Sequence, residues 1–168
     1  MFYRLKFDSV LSFINMADYA LLKIWKNPAP IDEWKILKLT CQSDVSHQHV
    51  MGLHNIMVWQ MEVLEMLTPL LGTAIQALPV TIDGVDHVAI HVTHTIDCLD
   101  EIHSQFKRFK NRNIGVEHYV LRADCVGDAN LFAIPDDGYS AIFVSAHLKE
   151  QFEQHQWQGL SFIPIETQ

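Results

Sequence analysis

The chain has 168 residues, of which 49% are hydrophobic and 19% charged, so its length suits one globular domain with a sizeable core. Its formal net charge of −8 argues against a nucleic-acid partner, because phosphate binding needs a basic surface. Residues 1–84 carry six basic and eight acidic side chains, whereas residues 85–168 carry six and twelve. The acidic second half favours a protein partner of basic or mixed charge, or serves solubility alone.

The sequence shows no recognisable targeting or membrane-spanning segment. Residues 1–8 alternate apolar and charged side chains, whereas a secretory signal needs an uninterrupted apolar stretch. The two longest uncharged stretches are interrupted, one by histidines and the other by prolines and a glycine, so neither suits a membrane-spanning helix. The three cysteines are scattered and form no CxxC pair, which predicts reduced thiols in the cytoplasm and no disulfide framework.

Strands and helices are predicted in alternation along the first part of the chain. Apolar and basic residues alternate over residues 3–7, which predicts a strand. Apolar residues at helical spacing predict a helix over Val10–Trp25, ended by the proline-containing segment Asn27–Pro30. The next segment, Trp34–Leu39, fits a short strand, with a helix as the alternative.

The middle of the chain has the strongest helical period. Ser43–Leu53 is polar and predicts a loop with a turn of helix, and Ile56–Leu71 predicts a helix that a glycine closes. Strands are predicted at Ala77–Ile82 and Val85–Val92, because the Asp83-Gly84 dipeptide between them is a strong hairpin signal.

In the last part of the chain a short helix is predicted after Glu101, ending in the basic run Lys107–Arg112. Strands are predicted at Val116–Ala123, Leu131–Ile134, Ala141–Val144 and Leu160–Ile165. The middle two are joined by a turn at Pro135–Gly138, and the last contains a proline that suits a sheet edge. Ser145 is placed to cap a helix that runs to about Gln156.

Hairpin signals outnumber strand–helix–strand units, so the predicted fold is mixed α/β of the α+β type. We expect a single domain over residues 1–168, with a largely antiparallel sheet and packed helices. Val58–Ile82 and Val144–Glu166 each place a helix before a short strand that contains a proline. This similarity fits an internal repeat of a helix–strand unit, and chance explains it equally well.

Ten histidines in the chain raise the question of a metal site. His87 and His91 fall on one face of a predicted strand about 13 Å apart, which is too far to share one zinc ion. His47 and His49 lie in a predicted loop, but no cysteine or carboxylate stands beside them at a recognisable ligand spacing. We therefore predict no metal, no cofactor and no catalytic residue.

Two charged clusters have both a structural and a chemical interpretation. Asp97, Asp100 and Glu101 suit metal binding or acid–base chemistry, but capping of a helix N-terminus is favoured. The run Lys107–Arg112 interleaves basic residues with phenylalanine, as RNA-binding segments do, but the net charge favours a solvated helix end.

Cys98 lies between apolar neighbours and is predicted to be buried rather than reactive. Neither a GxSxG elbow nor a glycine-rich phosphate loop is present.

A series of short apolar and capping segments runs through the chain at Gln76–Ile82, Asp97–Asp100, Leu131–Ile134, Ala141–Ser145, His147–Gln156 and Gly159–Ile165. Together they resemble a bacterial immunity-protein family, the one numbered eleven among the immunity families of polymorphic toxin systems, over about residues 56–166. The usual Phe-Arg pair of that family is Phe132-Ala133 here, so a role for an arginine is not carried over.

The resemblance implies a non-enzymatic protein that binds and neutralises a cognate toxin and so protects the producing cell. We expect stoichiometric binding through an acidic face formed by Asp97, Asp100, Glu101, Asp124, Asp128, Asp136 and Asp137. The last four lie in predicted loops, where exposed side chains are free to contact a partner. Charge complementarity would speed the encounter with a basic toxin.

The alternative from a different class is a small metal-dependent hydrolase. It would use His47 and His49 with Asp97 or Asp100 as ligands.

Overall fold

Beta strands dominate the backbone of this protein. In a computed structural model that describes residues 1–15, 18, 23, 25–41 and 47–168, strands make up 44% of those residues and helices 20%. The predicted mixed α/β fold, with helices packed on one sheet, is therefore wrong. The strands form two curled, barrel-like sheets and a separate hairpin.

The strands of the described residues, in chain order, are β1 (Phe2–Phe7), β2 (Ser12–Phe13), β3 (Leu37–Thr40), β4 (Val50–Leu53), β5 (Ile56–Trp59), β6 (Ile75–Ile82), β7 (Val85–Val92), β8 (Gln105–Phe109), β9 (Arg112–His118), β10 (Val120–Leu121), β11 (Leu131–Ala133), β12 (Ile142–Ser145) and β13 (Leu160–Thr167). The helices are α1 (Met61–Leu71), α2 (Ala123–Val126) and α3 (Ala146–Gln154), with a 3₁₀ turn at Gly72–Ala74. None of these helices is both long and apolar enough to cross a bilayer.

The larger sheet has six strands in the order β2-β3-β6-β7-β5-β4, and the smaller has five in the order β10-β13-β1-β12-β11. Neighbouring strands run antiparallel, apart from the parallel pairs β3–β6 and β10–β13. Strands β8 and β9 form a two-stranded sheet of their own.

The two helix–strand segments noted in the sequence take equivalent places in the two sheets. Helix α1 connects β5 to β6, and helix α3 connects β12 to β13. In each case the connected strands run parallel with one strand between them, β7 in the larger sheet and β1 in the smaller. Each helix therefore crosses one intervening strand.

Each sheet contains strands that are buried on both faces, and this explains why those strands are so apolar. Along β5, Met57 faces a central core that α1 and α3 share, while Val58 faces a second core beneath the N-terminal segment. Along β12, Val144 enters the central core and Phe143 enters a third one. Full burial of a side chain of this size contributes about 1.5–3 kcal/mol, so both faces of each sheet stabilise the fold.

Two of the errors in the first half of the predicted elements fall on doubly buried strands, β4 and β5. The predicted helix over 56–71 begins with strand β5, and α1 starts only at Met61. The predicted loop over 43–53 contains β4, and its residues 43–46 lie outside the described part. The predicted helix over 10–25 contains β2, and seven of its residues lie outside the described part. A short run buried on both faces lacks alternation, so periodicity does not separate it from a helix.

Several signals for turns, caps and strand edges gave correct predictions. Asp83 and Gly84 have positive φ values of 48° and 86° and join β6 to β7 in a tight hairpin. Ser145 caps α3, because its Oγ accepts the Leu148 N–H at 3.1 Å. Pro164 lies where β10 no longer covers β13, which suits a residue without a backbone N–H.

The prediction of a helix that ends in the basic run Lys107–Arg112 is wrong, because these residues belong to the β8–β9 hairpin. Lys110 and Asn111 form its two-residue turn, with φ values of 46° and 63°. Two consecutive positive φ values are typical of a type I′ hairpin turn, for which asparagine is well suited. Asn111 was therefore the available sequence signal for this hairpin.

Candidate functional site

Six of the seven carboxylates of the predicted acidic face lie on loops, and Asp124 lies in α2. Asp97 follows β7, and its side chain is 81% exposed. Arg122 donates to the Asp97 backbone carbonyl at 2.7 Å and lies 3.5 Å from its carboxylate. This contact joins the 97–101 loop to the chain that leaves β10.

Asp100 caps a turn rather than a helix. Its Oδ1 accepts the backbone N–H groups of Ile102 and His103 at 2.9 and 3.1 Å, and Oδ2 lies 2.7 Å from His103 Nδ1. The hydrogen bond from the His103 side chain, helped by the two amides, lowers the pKa of Asp100. The expected capping role thus holds the 101–103 turn in place, although no helix follows it.

The Asp137 carboxylate makes its hydrogen bonds within its own protein. Its carboxylate accepts three hydrogen bonds of 2.9 Å each, from the Tyr119 hydroxyl and from the backbone N–H groups of Ser140 and Ala141. Burial raises the pKa of Asp137, and it also raises the pKa of Tyr119. Asp137 is therefore partly buried and held by hydrogen bonds within its own protein, whereas its neighbour Asp136 is exposed.

Four of the seven predicted residues meet around one depression in the surface. Asp97, Asp100, Glu101 and Asp136 line a cleft of about 410 Å³ together with Arg122. A second depression of about 400 Å³ adjoins it and shares Glu101 and Asp136. We call these adjoining depressions the acidic cleft. The remaining two residues are exposed and do not line it: Asp124 lies within α2 rather than in the predicted loop, and Asp128 follows α2.

The acidic cleft is suited to a cationic group of a partner. Glu101 and Asp136 are exposed, and neither takes part in a salt bridge within the described residues. Carboxylates that converge from two loops can accept hydrogen bonds from one guanidinium or ammonium group. Phe106, which lines the second depression, supplies an aromatic surface beside them.

The alternative metal site is not assembled. No group of three or more His, Cys, Asp or Glu residues in the described part of the chain is placed to hold a metal ion. His49 Nδ1 accepts the Gln158 N–H at 3.2 Å, and His47 is exposed. These histidines therefore do not form a ligand set with Asp97 or Asp100.

His87 and His91 lie on one face of β7, as their spacing predicted. His91 is buried, its Nε2 lies 3.0 Å from the Ala29 carbonyl oxygen, and its ring meets that of Trp25 edge-on. Burial lowers the pKa of His91, so its neutral form is favoured. Its role is to pack against the second core.

Cys98 is fully buried in the third core, as predicted from its apolar neighbours. Burial raises the pKa of its thiol to about 12. The thiolate required of a nucleophile is therefore scarce at neutral pH.

The β8–β9 hairpin is the feature that the sequence interpretation missed. It contributes Phe106, Arg108, Asn113 and Gly115 to the wall of the acidic cleft. One of its basic residues, Arg108, interpreted from the sequence as part of a solvated helix end, thus stands beside the predicted Glu101 and Asp136.

Comparison with known families identifies this part of the chain. The sequence profile of the Immunity protein family (Imm11) matches residues 83–167, which is half of the chain. No curated protein matches the chain significantly. The profile match confirms the resemblance inferred from the C-terminal segments, although residues 56–82 lie outside it. It spans β7 to β13 and includes the acidic cleft and the hairpin, and the chain therefore belongs to the Immunity protein family (Imm11).

Proposed function

We propose that this protein protects its producing cell by binding a toxin in the cytoplasm and blocking it stoichiometrically through the acidic cleft. Membership of an immunity family supports an immunity function, a toxin as partner and a non-enzymatic role. The choice of surface is our inference from the positions and contacts of the charged residues.

The observation that carries this choice is the convergence of exposed carboxylates within the family-matched segment. Asp97 and Glu101 come from one loop and Asp136 comes from another, and all three line the same depression. Holding like charges close together is unfavourable, so a basic side chain of a partner would relieve their repulsion. Asp124 and Asp128, which lie outside the cleft, would add to the attractive field at longer range.

Stoichiometric neutralisation has a direct test. We expect cells that produce the toxin encoded beside this gene to survive only when this protein is co-expressed. The purified pair should form a one-to-one complex by light scattering, and inhibition should reach its limit at one equivalent. Complete protection at a small fraction of one equivalent would indicate a catalytic antidote and would contradict the proposal.

The role of the acidic cleft predicts a salt-dependent association rate. Replacing Glu101 by Gln together with Asp136 by Asn should slow association roughly three- to tenfold at low salt, because steering by opposite charge is lost. The same change at the exposed pair Asp32 and Glu33, outside the cleft, is the matched control and should have little effect.

Stopped-flow measurement over a series of salt concentrations checks this. The difference between wild type and the cleft variant should shrink as the Debye length falls to about 8 Å near physiological salt. If the two double variants slow association equally, the charge effect is general and the cleft is not the contact surface.

A further inference from the structure

The β8–β9 hairpin is anchored only at its base. Phe106 and Val116, which face each other across the hairpin, both pack in the third core. Beyond them, residues 107–114 are exposed. Outside its own ladder, no backbone hydrogen bond joins residues 105–118 to any other described residue. Both edges of the hairpin and its turn therefore stand away from the two sheets.

The exposed end of the hairpin combines apolar and basic side chains. Phe109 and Ile114 are 61% and 63% exposed. Its four cations are Lys107, Arg108, Lys110 and Arg112, and none of them forms a salt bridge within the described part of the chain. Residues 105–118 contain one carboxylate, so the hairpin carries a charge of +3 in a chain whose net charge is −8.

The exposed side chains of the hairpin contribute little to the stability of the fold. An isolated two-stranded hairpin is only marginally stable in water, and large exposed apolar side chains favour association. The hairpin is also continuous with the proposed binding surface, because Arg108 and Asn113 line the acidic cleft with Glu101 and Asp136. A partner seated in the cleft would therefore meet the hairpin.

We propose that the exposed end of this hairpin, residues 107–114, is a second contact for the toxin. It would enter a recess on the toxin surface that has acidic groups and apolar walls. This inference rests on the proposed toxin binding and extends it. The toxin surface would then be bipolar, with a basic projection for the cleft beside an acidic recess for the hairpin. Two opposite charge patterns side by side specify one orientation and disfavour toxins that match only one of them.

The test compares two double variants that carry identical changes at exposed positions in or directly beside a strand. Lys107→Glu with Ile114→Ser alters the hairpin, and Lys38→Glu with Ile36→Ser alters the region of β3, where Ile36 is 57% exposed. The hairpin variant should raise the Kd for the purified toxin encoded beside this gene at least about tenfold, as loss of an interface anchor does. The control should change the Kd less than about twofold.

Thermal unfolding should give the same Tm for the hairpin variant and wild type, because the altered side chains are exposed. If wild type fails to bind the toxin, the proposed function itself is wrong. If wild type binds and the hairpin variant binds equally well, only the hairpin contact is wrong. Binding of a labelled single-stranded RNA that Lys107→Glu abolishes, with the toxin Kd unchanged, would assign the hairpin to nucleic acid instead.

Discussion

Replacing Gly159 by alanine should destabilise the protein by more than about 3 kcal/mol, the largest effect we expect of a single methyl group in this chain. Gly159 has a φ of +109°, which L side chains rarely adopt, and an added Cβ would lie 1.8 Å from the Val50 carbonyl oxygen. Such an overlap with backbone is relieved only when one of the two segments moves.

The position of Gly159 makes that movement costly. The backbone N–H groups of His49 and Val50 both donate to the Gln158 carbonyl, at 3.0 and 3.1 Å, and the Asp8 N–H donates to the Gly159 carbonyl at 3.0 Å. The start of β13, the start of β4 and the end of β1 thus meet here, and the two sheets are joined. Moving Gly159 away from Val50 would break these bonds and separate the sheets.

Urea denaturation measures the effect, with Gly138→Ala as the control. Gly138 also has a positive φ, 67°, but a methyl group added there would have no atom within 4 Å, so only the conformational cost of about 1–2 kcal/mol applies. Equal midpoints for the two variants would show that the close approach of residues 50 and 159 is not essential.

Asp137→Ala should lower the free energy of unfolding by about 2–4 kcal/mol, whereas Asp136→Ala should change it by less than about 0.5 kcal/mol. Removing the Asp137 carboxylate leaves the Tyr119 hydroxyl and the amides of Ser140 and Ala141 without their acceptor. Tyr119 is buried, so water does not readily replace that acceptor. Asp136 is exposed and loses only a surface charge.

The same pair separates stability from binding. Asp136→Ala should slow association with the toxin while its Tm stays at the wild-type value. Asp137→Ala should unfold at lower urea concentration, and any toxin bound by its folded fraction should associate at the wild-type rate. A loss of stability in Asp136→Ala, or unchanged stability in Asp137→Ala, would reverse the two assignments.

Short-range signals in the sequence predicted several elements correctly. The Asp83-Gly84 turn and the Ser145 cap depend on contacts within a few residues. A turn requires particular φ values and a cap requires one nearby oxygen, so residue type alone is informative at such positions.

The fold class was predicted wrongly for a physical reason. The residues of β4 and β5 are all buried, since each of these strands lies between two cores. Such runs carry no polar alternation, and in β5 the apolar run leads directly into α1, so the whole segment resembles one helix. Acidic residues near Lys107–Arg112 likewise suggested a helix, where Asn111 instead permits a hairpin turn.

The sequence by itself determined that the second half is acidic, that it carries the segments of an immunity family and that its turns fall at particular residues. Only the tertiary structure decided which carboxylates are available to a partner. Asp136 and Asp137 are neighbours of identical chemistry, yet one lines the acidic cleft and the other is held by Tyr119. Part of that difference arises from the hydrogen bond to Tyr119, 18 positions away in the chain, and such contacts leave no periodic pattern in the sequence.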